Sequence, residues 1–323
     1  MAVLVSGGAG YIGSHVVLAL LDRGEQVVVL DDLSEGRAAL VAKPALLAVG
    51  DIGDRSLLAE LIGRHRIDTI AHFAARIIPA ESVRRPLFYY RENTCKSLAL
   101  IEAAIENGVL CFVFSSSAAV YGEPERMPLT EDAPTRPVSP YGASKLMTET
   151  MLADAAAAHG VRFVALRYFN VAGADPALRS GESSSHAGHL IKLAAEAALG
   201  KRAELIVHGA DYPTPDGSCL RDYVHVSDVA AAHVAAIDHL RKGGANAVLN
   251  IGYGHGASVL EVVARVKQVS GVDFPVRLGP RRPGDPAALV AAAERIGSLF
   301  GWRPAYDDLA LIVRHALEWE RRV

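Results

Sequence analysis

The sequence has few cysteines, little net charge and no long apolar run. The chain has three cysteines in 323 residues, Cys95, Cys111 and Cys219, and their odd number and wide spacing fit neither a disulfide framework nor a zinc motif. The net charge is −3 without any block of like charges, which argues against nucleic acid or an anionic membrane as partner. No run approaches the roughly 18 apolar residues of a membrane span, and the N-terminus resembles a strand rather than a signal peptide. We therefore expect a cytoplasmic protein with reduced thiols.

The histidines also lack the pattern of a metal site. No HxH or HExxH spacing occurs among the twelve histidines of the chain. His72 lies at the end of an apolar run and His225 lies in a polar segment, so we interpret both as structural side chains. The sequence therefore predicts no metal centre.

What the chain does contain is an alternation of short apolar runs and longer helical patterns. The runs are rich in Val, Ile and Leu without polar alternation, as expected for strands that are covered on both faces. Strands are predicted at Val3–Val5, Gln26–Leu30, Leu46–Val49, Thr69–Phe73, Cys111–Phe114, Phe163–Leu166 and Val248–Ile251, and helices at Ile12–Arg23, Ser56–His65, Thr94–Asn107 and Ala143–His159. This alternation predicts an α/β fold, a parallel sheet with helices on both faces.

The alternation weakens after Asn170. Asp175–Gly188 is rich in small residues, and Asp211–Ser218 carries two prolines and a glycine, so we interpret both as loops over a substrate site. Asp222–Gly252 resumes the pattern with a helix and a strand. We predict a Rossmann-type doubly wound parallel sheet in residues 1–169 and 222–253, with a smaller α/β C-terminal substrate lobe in residues 170–221 and 254–323.

A glycine-rich turn joins the first predicted strand to the first predicted helix. Gly7, Gly10 and Gly13 have the spacing GxxGxxG. Glycine lets the backbone turn tightly and approach a diphosphate, and the N-terminus of the following helix offers free N–H groups to the phosphates. Because strand, turn and helix occur in this order, the sequence predicts a dinucleotide site.

Acidic residues after the next two strands refine this site. Asp31-Asp32 closes the second predicted strand, where a carboxylate accepts hydrogen bonds from an adenosine ribose and repels a 2′-phosphate. No arginine follows directly to receive such a phosphate, and the nearest candidate is Arg37. NAD is therefore favoured over NADP. Asp51-Ile52 is placed to meet the adenine edge; the alternative is that Asp51 only caps a helix.

Ser117, Tyr141 and Lys145 form the candidate catalytic set. The YxxxK spacing at the start of a predicted helix puts Tyr141 and Lys145 on one helical face. Tyrosine, with a pKa of about 10, is a poor base at neutral pH, but a neighbouring ammonium and an oxidised nicotinamide would lower the pKa of Tyr141. Ser117 is predicted to close the fifth strand, at the edge where parallel sheets bind ligands, and can hold a substrate oxygen there.

The order of these motifs resembles that of the extended short-chain dehydrogenase/reductase family over essentially the whole chain. Five segments are similar to the UDP-glucose 4-epimerase branch of that family: Ser115–Gly122, Ser139–Leu146, Leu166–Asn170, Asp211–Gly217 (DYPTPDG) and Arg221–His225 (RDYVH). Dehydratases and decarboxylases of the family carry acidic residues just after the serine or threonine of strand five, where this chain has Ala118 and Ala119. Elimination and decarboxylation need a general acid or base at this position, and its absence favours an epimerase.

The resemblance implies two sets of contact residues. The NAD contacts would be Gly7, Gly10, Tyr11, Ile12, Gly13, Asp31, Asp32, Leu33, Ser34, Glu35, Gly36, Asp51, Ile52, Phe73, Ala74, Ala75, Arg76, Ile77, Ser117, Tyr141, Lys145 and Phe169, the last beside the nicotinamide. The UDP-sugar contacts would be Ser117, Tyr141, Asn170, Leu190, Arg221, Arg282, Asp285 and Leu289. Arginine suits a diphosphate because its fork makes paired charge-assisted hydrogen bonds. For Arg282, a solvated loop charge is the alternative.

Some positions depart from the family pattern. Arg76-Ile77 stand where a lysine usually follows the His-Phe-Ala-Ala strand end, so Arg76 is expected to take over a phosphate or ribose contact. Glu92 replaces the first residue of a common Asn-Asn pair, which weakens the case for a cofactor contact there. Lys192 stands where proline is frequent. Leu289 stands where a tyrosine or a smaller residue often borders the sugar pocket.

The resemblance implies inversion at C4 of a UDP-hexose, with UDP-glucose and UDP-galactose as substrates and tightly bound NAD as cofactor. Tyr141 would take the proton of the 4-hydroxyl while the C4 hydride passes to NAD, and both would return after the 4-keto sugar has turned over. Alternatives are a 4-epimerase for a UDP-pentose or UDP-N-acetylhexosamine, a net dehydrogenase or reductase, and an inactive NAD-sensing module, which the intact catalytic set disfavours. The family also implies a homodimer formed through the helices around Thr94–Asn107 and Ala143–His159.

Overall fold

Strands and helices alternate over most of the chain in the computed structural model, which describes residues 2–184, 188–282 and 285–323. The strands are β1 (Ala2–Ser6), β2 (Gln26–Asp31), β3 (Leu46–Val49), β4 (Ile67–His72), β5 (Cys111–Ser115), β6 (Arg162–Tyr168), β7 (Asn170–Ala172), β8 (Leu205–His208), β9 (Leu220–Arg221), β10 (Tyr223–His225), β11 (Ala247–Ile251), β12 (Ala257–Ser258), β13 (Val276–Gly279) and β14 (Ala288–Leu289). The α-helices are α1 (Tyr11–Leu21), α2 (Arg55–His65), α3 (Pro79–Arg84), α4 (Pro86–Tyr89), α5 (Lys96–Glu106), α6 (Pro140–His159), α7 (Leu190–Ala198), α8 (Val226–Arg241), α9 (Val259–Ser270), α10 (Glu294–Phe300) and α11 (Leu309–Glu320).

The largest sheet, among the residues described, is parallel and has the strand order β11-β6-β5-β4-β1-β2-β3. One face packs against α1 and α8, and the other packs against α2, α5 and α6, so each face has its own apolar cluster. The predicted doubly wound, Rossmann-type sheet is confirmed. Strand order reverses on either side of β1, and the carboxyl ends of the strands leave a crevice at such a switch point.

The predicted elements differ from the observed ones mainly at their ends. The strand predicted at Thr69–Phe73 spans Ile67–His72, and the first helix ends at Leu21 rather than Arg23. The helix predicted from Thr94 begins as an α-helix only at Lys96, because Tyr90–Cys95 form a π-helical turn before it. Apolar periodicity does not distinguish a π turn from an α turn over so short a length.

The smaller lobe has a core of its own. Helices α7, α9 and α11 pack together around a third apolar cluster that includes Ile191, Val262 and Ile312. Strand β8 pairs with β13, and β9 lies between β12 and β14. Strand β10, inside the predicted segment 222–253, pairs with β7 from the predicted lobe, so chain segments interleave at this border. The exact domain division stays a prediction.

The two predicted loops also belong to this part of the chain. The loop predicted at Asp175–Gly188 is described only in part, because residues 185–187 lie outside the described residues. Asp211–Ser218 connects β8 to β9 and is closed by a hydrogen bond from the Tyr212 amide to the Gly217 carbonyl. In the described part of the chain, none of the helices combines the length and apolar character that crossing a bilayer requires.

Candidate active site

The turn between β1 and α1 leaves no room for side chains at its glycines. A Cβ on Gly7, whose φ is +75°, would lie 2.5 Å from the Ala74 nitrogen, and one on Gly13 would lie 2.2 Å from the Gly7 carbonyl oxygen. Among the described residues, no side chain caps the N-terminus of α1 at Gly10. The tight turn and the uncapped helix end fit a diphosphate, which takes hydrogen bonds from free N–H groups at such a position.

Asp31 is held in place at the end of β2. One carboxylate oxygen accepts from the Ala9 amide and the other from the Leu33 amide, both at 2.9 Å. Burial raises the pKa of Asp31, and these two amide hydrogen bonds oppose that shift. Each carboxylate oxygen keeps further acceptor capacity, so the fixed group fits the predicted ribose contact. The backbone of the loop that follows is tied to the glycine turn by the Arg37 amide, which donates to the Ala9 carbonyl.

Asp51, after β3, does not cap a helix. Asp54 caps α2, whereas Asp51 accepts from the Gly53 amide at 2.7 Å and from Lys96 Nζ at 2.6 Å. The capping alternative for Asp51 is therefore wrong. Lys96 also donates to Glu92 at 2.6 Å, so the departure at Glu92 supplies a second carboxylate to this lysine. The predicted adenine contacts of Asp51 and Ile52 stay predictions.

Arg76, after β4, already has a partner in the protein. Its guanidinium pairs with Glu35 at 2.8 Å and thereby joins the loops that follow β2 and β4. Its backbone N–H and C=O both bond to the Asn93 side chain, at 2.8 and 3.0 Å. Any contact of Arg76 with a phosphate would compete with Glu35.

The Phe73 ring packs against His233, so Phe73 is oriented toward α8.

The catalytic candidates meet where β5 and α6 approach each other. Strand β5 ends at Ser115, not at Ser117 as predicted, because Ser117 caps the short 3₁₀ turn at 118–120 and accepts from the Ala119 amide at 3.1 Å. Helix α6 begins at Pro140 and is capped by Ser139, which places Tyr141 in its first turn. The Ser117 side chain lies close enough to the Tyr141 hydroxyl to act on its pKa, and Lys145 Nζ donates to the Ser115 carbonyl at 2.8 Å.

Burial dominates the acid–base behaviour of this set. It raises the pKa of Tyr141, while the interaction with the Ser117 side chain works in the opposite direction. Burial also lowers the pKa of Lys145 to about 7, against the attraction of the Glu149 carboxylate. For the protein alone the pKa of Tyr141 is therefore raised, because loss of hydration dominates, and the lowering by Lys145 and an oxidised nicotinamide stays a prediction.

The candidate substrate residues lie along β9 and β14. Leu289 and Arg221 are paired neighbours in these strands, and Arg221 lies 3.5 Å from the Asp285 carboxylate. Leu289 packs against a buried cluster that contains Ala118, Tyr121 and Phe169. The loop residue before the 3₁₀ turn, Ser117, therefore has Leu289 in its neighbourhood. The loop Arg281–Asp285 is described except for residues 283 and 284.

A cavity of about 450 Å³ lies beside Arg282 and contains none of the three catalytic candidates in its lining. It is lined by Leu193, Arg202, Ala203, Glu204, Leu205, Ile206, His208 and Arg282. Sequence reasoning did not identify Ile206 or His208. The run Leu205–His208 is a short apolar strand ending in a histidine, and this pattern was the available signal. Arg282 lines this cavity and is exposed to solvent, so its contact with a ligand stays a prediction.

The remaining candidates lie at the starts of α1, β7 and α7. Tyr11 donates to the Gly173 carbonyl at 2.6 Å, so its hydroxyl reaches toward the smaller lobe. Asn170 begins β7 and Leu190 begins α7.

The structural interpretation of the histidines agrees with their contacts: His72 bonds to Ser6 and Ser97, and His225 bonds to His315. Lys192 pairs with Glu320 and Glu196.

Known proteins similar to this chain share one activity in their names. A UDP-glucose 4-epimerase of Azospirillum brasilense is 57% identical over 99% of this chain and 92% of its own. The crystal structure of the UDP-glucose 4-epimerase of Brucella ovis in complex with NAD has a TM-score of 0.96 at 42% identity, covering 99% and 98% of the two chains. The UDP-Glc/GlcNAc 4-epimerase of Campylobacter jejuni has a TM-score of 0.87 at 46% identity, covering 100% and 99%.

A family model also matches a continuous stretch of the chain. It covers residues 3–252, from β1 through β11, and so includes the glycine turn and the whole catalytic set. The predicted dependence on NAD agrees with that family's description. The chain belongs to the NAD dependent epimerase/dehydratase family.

Proposed function

We propose that the chain interconverts UDP-glucose and UDP-galactose by inverting C4 of the hexose with tightly bound NAD. The observation that carries this proposal is the position of Ser117 beside Tyr141, at the same sheet edge as the glycine turn. The full-length likeness to UDP-glucose 4-epimerases supports the substrate and the reaction. Ala118 and Ala119 follow Ser117, so this segment supplies no acid for elimination.

Each member of the catalytic set has a defined task in this proposal. When bound, NAD supplies a hydride acceptor and donor for C4. The Tyr141 oxygen takes the proton of the 4-hydroxyl and returns it, and Ser117 holds the sugar oxygen next to it. Lys145, whose pKa is about 7, supplies a cationic neighbour at neutral pH and below. Burial excludes water from Tyr141 and Lys145, which strengthens their interactions.

The UDP part is proposed to lie along Arg221, Arg282 and Asp285. Arg221 is buried, its Nη1 donates to the Leu220 carbonyl at 2.8 Å and its Nη2 lies 3.5 Å from the Asp285 carboxylate. The guanidinium carries five N–H donors, so it keeps donors for a diphosphate. The cavity beside Arg282 offers the His208 ring and the apolar side chain of Ile206 to a flat base. Because these residues are not members of the catalytic set, they can hold UDP while the sugar turns over beside Tyr141.

The test of this function is incubation of the purified protein with UDP-galactose and no added NAD. We expect UDP-glucose to form while absorbance at 340 nm stays constant, because the hydride that leaves C4 is returned to it. Denaturation should release about one NAD for each chain. Stoichiometric consumption of added NAD during turnover would point to a net dehydrogenase, and absence of turnover to a sensing module.

A second substrate class is favoured by one residue. Leu289 is half-buried against the cluster that contains Phe169, and it lacks the length and the hydroxyl of a tyrosine. We propose that this leaves partial room for an N-acetyl group on C2 of the sugar. The similarity to the Campylobacter jejuni enzyme, whose name includes both Glc and GlcNAc, supports this extension.

Replacing Leu289 with tyrosine tests the pocket. The native protein should act well on UDP-galactose and weakly but measurably on UDP-N-acetylglucosamine. Leu289→Tyr should lose activity on UDP-N-acetylglucosamine and keep most of its activity on UDP-galactose. A well-packed site cannot move far enough to accommodate both the tyrosine ring and an N-acetyl group. Equal losses on both substrates, or no change on either, would remove Leu289 from the account of specificity.

We also propose that the protein is a homodimer formed through α5 and α6. Exposed apolar side chains occur on this side of the sheet: Val83, Leu87, Leu98 and Met147 are exposed by 62, 79, 43 and 44%. They lie on α3, α4, α5 and α6, and α6 packs against the other three helices. Apolar surface concentrated in this way is typical of an interface.

Light scattering on purified protein tests the dimer. We expect a mass near twice the 34.2 kDa of one chain. Leu98→Glu combined with Met147→Lys should yield monomer, because charges would be buried in the interface. Leu278→Glu changes a similarly exposed leucine on β13 and should leave the mass unchanged. A monomeric native protein would contradict the proposal.

A cytoplasmic location also remains a proposal. Cys95 is exposed and unpaired, and Cys111 and Cys219 are buried and unpaired. Free thiols of this kind are typical of reducing compartments.

A further inference from the structure

Three side chains of α6, one turn apart, contact the serine run after β5. Tyr141 has the Ser117 side chain beside its hydroxyl, and Lys145 Nζ donates to the Ser115 carbonyl. Glu149, one turn beyond Lys145, accepts a hydrogen bond from the Ser116 hydroxyl. Two of the three consecutive serines are thus hydrogen-bonded to successive turns of the same helix, and the third faces the turn before them.

Glu149 is part of a buried ion pair that the proposed reaction does not use. Arg167 on β6 contacts both carboxylate oxygens, with Nε 2.9 Å from Oε1. The two side chains are exposed by only 5 and 7%. Arg167 also donates to the Tyr121 hydroxyl at 3.1 Å and to the Glu131 carbonyl at 3.3 Å. Well-packed apolar residues often replace such a pair without loss of stability, so stability alone does not account for it.

Among the described residues, the titratable groups that face Lys145 are Tyr141 and Glu149 on its own helix and His72 on β4. Glu149 lies on its own helix and attracts its charge. His72, at the end of β4, is kept neutral because burial lowers its pKa to about 3. The Phe114 ring and the Ser115 carbonyl complete the surroundings of the ammonium, at 5.0 Å to the ring centroid and 2.8 Å to the oxygen. Glu149 is therefore the carboxylate that offsets the burial of Lys145.

We propose that Glu149, fixed by Arg167 and Ser116, is a positioning residue that keeps Lys145 charged beside Tyr141 and holds the serine run in register with α6. This inference rests on the proposed function of the Ser117, Tyr141 and Lys145 set. Arg167 has a double effect: it fixes the carboxylate and partly cancels its field. The influence of Glu149 on Lys145 is therefore moderate and appears in the pH dependence.

Glu149→Gln in the NAD-loaded enzyme tests the charge. The amide keeps the shape and can still accept from Ser116, but it no longer attracts the ammonium. The pH above which kcat falls should move down by about one unit, which is roughly a tenfold loss at a fixed alkaline pH. KM for UDP-galactose and NAD content should stay unchanged, because Glu149 touches neither. A profile that superimposes on the native one would overturn the proposal.

A double variant separates charge from packing. Glu149→Gln leaves Arg167 buried without its counterion, so Tm should fall. Glu149→Met with Arg167→Met removes both charges and should recover Tm, yet keep the shifted pH profile. Return of the native profile in the double variant would show that the pair only packs. As a matched control, Arg241→Gln breaks ion pairs with Glu25 and Asp68 at the far end of the sheet and should lower Tm without moving the profile.

A direct titration of Lys145 does not depend on turnover. The chain has seven lysines, so their side-chain carbons can be labelled with ¹³C and followed by NMR. The signal missing in Lys145→Met is that of Lys145. We expect it to titrate at a lower pH in Glu149→Gln than in the native protein, and an unchanged midpoint would overturn the inference. If the native protein fails to epimerise UDP-galactose, this titration still reports on Glu149, so the two failures are distinguishable.

Discussion

Replacement of Tyr141 with phenylalanine is expected to lower kcat by roughly two to four orders of magnitude, the size of a general acid–base contribution. The ring stays in place, since Tyr141 is 7% exposed and packed in the first turn of α6. Only the hydroxyl and its interaction with the Ser117 side chain are lost, at a cost to folding of about 1 kcal/mol. The measurement is single-turnover and steady-state conversion of UDP-galactose, together with NAD content.

The matched control is Tyr89→Phe. Tyr89 is fully buried, and its hydroxyl bonds to the Ile78 backbone and to Glu81. It lies on α4 and is not one of the three catalytic candidates, so removal of its hydroxyl should cost stability and leave kcat within a few-fold of native. If Tyr141→Phe retains near-native kcat, then Tyr141 is not the base. The roles proposed for Ser117 and Lys145 depend on that base and would be wrong as well.

The fold could be predicted from the sequence because its strands are buried on both faces. Runs such as Val27–Leu30 and Phe112–Phe114 contain only apolar residues, and short runs of this kind between helical patterns are typical of covered parallel strands. The glycine spacing was equally informative, because Gly7 and Gly13 occupy positions where any Cβ would overlap the backbone. Steric requirements of this kind are visible residue by residue.

Properties that depend on contacts between distant segments could not be predicted in the same way. The Glu35–Arg76 and Asp51–Lys96 pairs join residues 41 and 45 positions apart, and nothing in either local pattern indicates the partner. The pKa of Lys145 is set by burial between β5 and α6, which spacing alone does not reveal. The cavity beside Arg282 brings together α7, β8 and a loop, so the short strand that ends in His208 did not by itself indicate a cavity.

Substitution of Gly13 by alanine should weaken NAD binding by roughly ten- to a hundredfold, the effect of about 1–3 kcal/mol of overpacking. Gly13 lies in α1, where alanine would otherwise favour the helix by about 1 kcal/mol. Its Cβ, however, would lie 2.2 Å from the Gly7 carbonyl oxygen and 2.9 Å from the Gly8 Cα. Both are backbone atoms of the turn, so the turn itself must shift. The measurement is NAD content after purification and the affinity for added NAD.

Gly63→Ala is the control for this change. Gly63 lies in α2, and its Cβ would meet no atom within 4 Å. The same substitution there should stabilise the protein by about 0.5–1 kcal/mol and leave NAD content unchanged. The two variants differ only in what the added methyl group meets, so a loss of NAD confined to Gly13→Ala would identify the contact with Gly7 as its cause. If Gly13→Ala instead retained NAD and raised Tm as Gly63→Ala does, the turn would accommodate a methyl group. The proposal that this turn closely approaches a diphosphate would then be wrong.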